Sequence, residues 1–228
     1  MIAQNYKFVL NSINDRCVSS NRNIDEIQLV AVSKTFPLSV IIEAFNCGIR
    51  TFGENKAQEL RDKAKDNDCD LSWHFIGHLQ KNKIKYVVGT ADYIHAVDSI
   101  ELAQAINNRA DSFRTTQKVL IEINASGEEA KFGLSNIESL IELVENCNKM
   151  ENISVEGLMT MAPYTEHQSV IRNTFIKLRQ MKEKINGFGY NLSQLSMGMT
   201  NDYLVAIEEG ATMLRIGSAI FGERNLKV

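Results

Sequence analysis

The sequence predicts an α/β protein: a single (β/α)8 TIM-type barrel across residues 1–228, with an extra helix at its N-terminus. Three observations carry that expectation. Eight short apolar stretches alternate with segments of helical periodicity, an order that argues for a parallel sheet. Several stretches, Leu29–Val32 among them, are apolar at every position, as strands covered on both faces are. No GxGxxG follows the first strand, and residues with chemical character gather just after the strands, where barrels keep their active sites.

Tyr6, Val9, Leu10 and Ile13 recur at helical spacing and predict a leading helix within residues 1–25, before the polar Ser19-Ser20-Asn21. Strands are expected near 28–33, 51–54, 73–77, 93–97, 118–124, 154–159, 194–198 and 213–218. Helices are expected between them, near 38–47, 55–66, 80–88, 99–110, 135–148, 167–186 and 201–209. Gly48, Gly89 and Gly210 sit where C-terminal caps belong. Asp98-Ser99-Ile100-Glu101 and Ser135-Asn136-Ile137-Glu138 have the pattern of capping boxes. Asp66-Asn67-Asp68-Cys69-Asp70 reads as a solvated loop, and no linker or repeat divides the chain.

Composition narrows the function. The 228 residues are 44% hydrophobic and 23% charged, enough to bury a large core. A formal net charge of −3, with both signs interspersed, leaves no basic footprint for nucleic acid and no polybasic membrane patch. The N-terminus lacks a signal pattern and no apolar run reaches spanning length. Cys17, Cys47, Cys69 and Cys147 form no CxxC pair. Together these features predict a cytoplasmic protein.

The candidate chemistry begins at Lys34, at the end of Leu29-Val30-Ala31-Val32-Ser33 and three residues before Pro37. Alternation puts it on the face of Val30 and Val32. Partial desolvation there favours the neutral amine that Schiff-base chemistry needs; a lysine that has merely left the sheet for water is the plainer alternative. Ser196-Met197-Gly198-Met199-Thr200-Asn201-Asp202 and Ile216-Gly217-Ser218 end strands seven and eight, where barrels often hold phosphate. A helix starting near Asn201 would add its positive end; a turn with Thr200 or Asn201 as an ordinary helix cap is the competing reading.

Arg215 lies inside strand eight on the face of Met213 and Gly217, where an unpaired charge is expensive. It is expected either to face the site or to pair with Glu122. Asn55 ends strand two. His74 and His78 have the spacing of helical metal ligands but lie in a strand-then-loop segment without clustered acids, so His78 as a pocket residue is favoured over a metal site. Met159, Met161 and Pro163 read as packing at the barrel mouth.

A lysine, an amide, a histidine, a phosphate loop and an arginine, all at strand ends, fit a pyridoxal 5′-phosphate site. The chain resembles the pyridoxal phosphate homeostasis protein family, whose barrel is similar to the N-terminal domain of alanine racemase. The segments that carry the resemblance are LVAVSKTFP (29–37), FGENKAQEL (52–60), WHFIGHLQKNK (73–83), GLMTMAP (157–163) and SMGMTNDYLVAIEEGATMLRIGSAIFGER (196–224). Thr200 and Ser218 depart from the serine and threonine frequent in that family, each keeping a hydroxyl.

The resemblance implies that Lys34 holds the cofactor as a Schiff base. It places Ser196, Gly198, Thr200, Gly217 and Ser218 around the phosphate, Arg215 at the pyridine nitrogen, and Asn55, His78 and Met159 around the ring. An arginine can only donate, so the ring nitrogen stays unprotonated and a weak electron sink. A carrier or buffer of the cofactor, serving apo-enzymes as partners, is therefore expected in preference to an enzyme, and the resemblance implies a monomer, sometimes a dimer. An amino-acid racemase using Lys34 and a tyrosine such as Tyr164 is the alternative, and a Schiff-base aldolase on a sugar phosphate is a third reading. Lys81, Lys83 and Lys85 are expected on a solvated helix face, where they could retain a second, loosely held aldehyde.

Overall fold

In the computed structural model, which describes residues 1–128 and 132–223, eight parallel strands close in sequence order into a barrel. The strands are β1 (Gln28–Val32), β2 (Thr51–Glu54), β3 (Ser72–Phe75), β4 (Tyr93–Val97), β5 (Gln117–Glu122), β6 (Ile153–Met159), β7 (Gln194–Ser196) and β8 (Met213–Ile216). The helices are α1 (Ile2–Ser19), α2 (Leu38–Asn46), α3 (Ala57–Lys65), α4 (Ile100–Ser112), α5 (Ile137–Cys147), α6 (Gln168–Gly187), α7 (Tyr203–Glu208) and α8 (Ser218–Phe221). The barrel closes by pairing β1 with β8, Val30 opposite Arg215. Leading helix α1 buries Ile2, Val9, Ile13 and Cys17 as one stripe and packs against α7 and α8 beside that seam. Arg22 fastens the chain after it, donating to the carbonyls of Ile207 and Ala211.

The expected order of elements is the observed one, with four physical differences. Strands β1, β3, β5, β7 and β8 end earlier than the apolar pattern suggests, so Lys34, Gly77, Asn124, Gly198 and Gly217 lie beyond them. The segment at 80–88 is a 3-10 helix, Lys81–Tyr86, rather than an α-helix. Helix α5 is capped by Asn136, whose side chain accepts the Ser139 N–H, and not by Ser135. The residues after Gly217, expected to continue β8, turn into the short α8. Ser99, the second residue of its box rather than the first, likewise caps α4, and Gly48, Gly89 and Gly210 all adopt positive φ beyond helix ends. Arg224, the last residue of the final matching segment, lies outside the described residues.

Two kinds of interior result. Between strands and helices the core is aliphatic and aromatic, with Phe52, Phe75, Phe175, Leu60 and Ile106 fully buried. Inside the barrel a smaller cluster of Ala96, Leu120, Met159 and Met213 packs beside Tyr93. Above and among these lie buried polar side chains: His74, His95, Ser196, Glu122 and Arg215. Buried polar groups are tolerated only when bonded, and these build the floor of a site.

Candidate functional site

A cavity of about 940 Å³ opens at the C-terminal ends of the strands, a size in the range of small-molecule sites. Lys34, Asn55, His78, Thr200, Arg215, Gly217 and Ser218 all line it. Ser196, Gly198 and Met159 lie below or behind the lining. Met159 is 1% exposed and packs inside the barrel with Leu120 and Met213.

Lys34 sits in the turn after β1, half-buried, with Val32 beside it in the cavity wall. Its neighbour Thr35 has φ 72°, a strained value for a β-branched residue. A buried ion cluster holds this turn. The Glu59 carboxylate accepts the Thr35 N–H at 2.6 Å. Lys63 Nζ donates to Ser33 O at 3.0 Å and to Glu54 Oε1 and Glu59 Oε1 at 2.7 Å each. Ser33 Oγ donates to Glu54 Oε1 at 2.6 Å. Burial pushes the Glu54 carboxyl upward, against the opposing pull of Lys63 and Ser33. The sequence reading missed this cluster, although the buried positions Ala57, Leu60 and Lys63 of α3 recur at helical spacing.

The loop after β7 turns at Gly198, where φ is 93° and a Cβ would lie 2.6 Å from the Ala206 Cβ. Its carbonyl accepts the Arg215 N–H at 2.9 Å. Helix α7 starts at Tyr203, two residues later than expected, and Asp202 is its N-terminal neighbour. Asp202 Oδ1 accepts the Met199 N–H at 2.5 Å, so an acid rather than an open helix end stands there. Two hydroxyls stand beside this loop at the cavity: Ser218 Oγ donates to Thr200 Oγ1 at 3.1 Å, which also accepts the Ala219 N–H at 3.3 Å.

Arg215 is 4% exposed and reaches the cavity from below. It donates to Ser196 Oγ at 2.5 Å and to Thr160 O at 2.8 Å. It forms no ion pair with Glu122: among the described residues its direct partners are neutral. Burial pulls its pKa down to about 10, with Asp202 and Glu122 opposing, so it stays protonated at neutral pH. Glu122 also lines the cavity; burial, reinforced by Asp98 and opposed by Arg215, pushes its pKa up to about 7.

Asn55 Oδ1 is buried and has no hydrogen-bond partner among the described residues. Gly77 allows its backbone this position, since a Cβ there would stand 2.3 Å from Asn55 O. His78 stacks on Phe132 with ring centroids 4.0 Å apart, its Nδ1 4.0 Å from an Asp98 oxygen. His74 is instead buried in the barrel beside His95 and, unlike His78, does not line the cavity. Met161 and Pro163 line the mouth, and Tyr164 stands 97% exposed at its rim. Lys81, Lys83 and Lys85 lie outside the cavity, the latter two near the Tyr86 ring.

Fold and site define a (β/α)8 barrel with a turn-borne lysine, a hydroxyl-lined loop and a buried arginine around one cavity. Residues 10–225 match the alanine racemase N-terminal domain family. The pyridoxal phosphate homeostasis protein of Aquifex aeolicus is 44% identical over 218 residues, covering 95% of each chain. That of Homo sapiens is 38% identical over 237 residues, covering 95% of this chain and 86% of its own. PipY of Synechococcus elongatus, solved with PLP bound, superposes with a TM-score of 0.81 at 31% identity, covering 92% of this chain and all of that one. An alanine racemase of Clostridium difficile shares the fold at TM-score 0.79 and 18% identity, with this chain matching 58% of it. The chain belongs to the pyridoxal phosphate homeostasis protein family.

Among the described residues no helix is long and apolar enough to cross a membrane.

Proposed function

We propose that the protein binds pyridoxal 5′-phosphate on Lys34 and acts in its homeostasis as a cofactor carrier or buffer, without robust catalysis. The observation that carries this is the convergence of Lys34, Arg215, Thr200 and Ser218 on one cavity. The donor set fits the group: hydroxyls and loop N–H groups for a phosphate, a cationic donor for a ring nitrogen, and the orphaned Asn55 Oδ1 for a polar ring substituent. The cofactor, when bound, supplies an aldehyde carbon that condenses reversibly with an amine as water leaves.

This chain's residues set the terms of that binding. The Ser33–Lys63–Glu59 cluster fixes the turn and so aims the Lys34 amine into the cavity. Thr200 and Ser218 would grip the phosphate, with Gly198 shaping the loop and Gly217 leaving room for the group. Ser196 would act through Arg215, which it contacts directly. His78 and Asn55 would flank the ring, while Met159 supports the floor from inside the barrel. Arg215 can donate a hydrogen bond but never accept one, so it would face the ring nitrogen only in that nitrogen's unprotonated form.

A racemase would need a second, positioned base facing Lys34. Tyr164 is 97% exposed and no packing fixes its hydroxyl, which disfavours that reading. The aldolase reading gains nothing from a ring-facing arginine. One barrel domain over 1–228, a monomeric state, a cytoplasmic location and transfer to apo-enzymes complete the proposal. Absorption spectroscopy of wild type and Lys34→Ala with added pyridoxal 5′-phosphate tests it. A visible band confined to wild type, with no chiral inversion of added amino acids, is expected. Equal bands in both proteins would refute the lysine assignment, and Lys34-dependent turnover of an amino acid would refute the carrier reading.

A further inference from the structure

Below the cavity, four polar side chains follow one another down the barrel, each nearly or wholly buried: Arg215, Ser196, His95 and His74. Arg215 Nη1 lies 2.5 Å from Ser196 Oγ. Ser196 Oγ lies 2.9 Å from His95 Nδ1, and His95 Nε2 lies 3.0 Å from His74 Nδ1. His74 Nε2 has no partner among the described residues. None of the three residues beneath Arg215 lines the cavity, so direct contact with a ligand does not explain them.

The arginine settles where the hydrogens are. A guanidinium only donates, so Ser196 Oγ accepts from Arg215 and its own hydrogen must go elsewhere. The acceptor in reach is His95 Nδ1, which is therefore bare, placing the His95 hydrogen on Nε2. That hydrogen is donated to His74 Nδ1, and the His74 hydrogen is left on Nε2. One buried group is then unmet. In the reverse arrangement, both histidines carry hydrogen on Nδ1, and the Ser196 hydrogen and His74 Nε2 are both unmet. A charged His95 would again orphan the Ser196 hydrogen and add a cation beside Arg215. The first arrangement leaves the fewest unsatisfied buried groups.

We propose that Ser196, His95 and His74 form a one-way donor chain that orients Arg215 and carries no proton towards the cavity. Every hydrogen in the chain points away from the cavity, so the chain holds Arg215 rigidly and passes no proton to a ligand above it; Glu122, on the cavity wall, is not part of it. This rests on Arg215 facing the ring of the bound cofactor. The groups around the chain agree: Tyr93 packs 4.9 Å from the His74 ring, and the charges of Lys118 and Arg215 both disfavour an imidazolium. Burial drives the His74 pKa down to about 3 and that of His95 well below its usual value.

Long-range proton–nitrogen NMR on the cofactor-free protein reads the chain without any cofactor. Both histidines are expected as neutral rings with hydrogen on Nε2 throughout pH 5.5–8. Hydrogen on His95 Nδ1, or a charged ring in that window, would overturn the proposal. Retention of pyridoxal 5′-phosphate and its visible band are then compared in Arg215→Gln, Ser196→Ala, His95→Phe and His95→Asn. Ser196→Ala and His95→Phe are expected to lose retention roughly ten-fold, the scale of one hydrogen bond to a charged group, and to shift the band as Arg215→Gln does. In His95→Asn, Oδ1 takes the place of Nδ1 as acceptor for Ser196, so most of the retention lost in His95→Phe returns. Should Arg215→Gln alter retention and band while the other variants do not, the donor chain is wrong and the cofactor reading stands. No effect in Arg215→Gln itself would instead remove the reading on which the chain rests.

Discussion

The ammonium of Lys63 donates to the carbonyl of Ser33 at 3.0 Å, one residue before Lys34 in the chain. A helix side chain thus fixes the turn that carries Lys34, and the same ammonium neutralises Glu54 at 2.7 Å in a site where Lys63 is 8% exposed.

Removing that ammonium should be costly. Lys63→Met leaves the Glu54 carboxylate buried without its cation, and loss of one partner of a buried pair typically costs about 3–5 kcal/mol. The urea midpoint should fall at an unchanged m-value. Lys63→Met combined with Glu54→Gln should regain a large part of the loss, since no charge is then stranded. A double variant no more stable than the single one would show that packing of the lysine stem, not pairing, is what matters.

Glu122 carries a pH signature. Its folded pKa of about 7 lies above the ordinary 4.5, chiefly through burial. The folded protein therefore binds more protons than the unfolded chain between those values, and stability falls as pH rises from 4.5 to 7 before levelling. The shift corresponds to at most about 3 kcal/mol. Glu122→Gln removes the titration, so its stability relative to wild type should improve from pH 5 to pH 8. Parallel pH profiles for the two proteins would contradict the assignment.

Gly198 has φ 93° and no room for a side chain. Gly198→Ala imposes left-handed strain of roughly 1–3 kcal/mol and a clash with Ala206. The Gly198 carbonyl holds the Arg215 N–H, so thermal stability and cofactor retention should drop together. Loss of stability alone, with retention intact, would separate this turn from the site.

The sequence made the barrel legible because eight apolar runs and their intervening helices are periodic signals. Strand ends were less legible: Ser33 and Met197 are buried like strand residues, yet the chain has already turned. Lys34, Thr200, Arg215 and Ser218 were visible as unusual residues at strand ends. His95, Lys63 and Glu59 were not, because each acts through a partner distant in the chain. His95 meets Ser196 across 101 positions and Lys63 meets Ser33 across 30. Such pairings are set by the closed barrel, and the one local trace of them is the helical spacing of buried Ala57, Leu60 and Lys63 on α3. The supposed open helix end near Asn201 failed for a related reason: the Asp202 carboxylate folds back onto the Met199 N–H.

The hydroxyl pair of Thr200 and Ser218, 3.1 Å apart, permits a test of which end of the cofactor each loop holds. Thr200→Val keeps the side-chain shape but removes the oxygen that bridges Ser218 and the Ala219 N–H. Retention of pyridoxal 5′-phosphate should fall roughly ten-fold, as for one lost hydrogen bond to a charged group. Retention of pyridoxal, which has the aldehyde and ring but no phosphate, should be equal in variant and wild type. Ser218→Ala should lose less, because Ser218 is exposed and water can replace its hydroxyl. An equal loss for both ligands in Thr200→Val would mean that the hydroxyl shapes the cavity as a whole, and the phosphate would have to be sought at other N–H groups of the two loops.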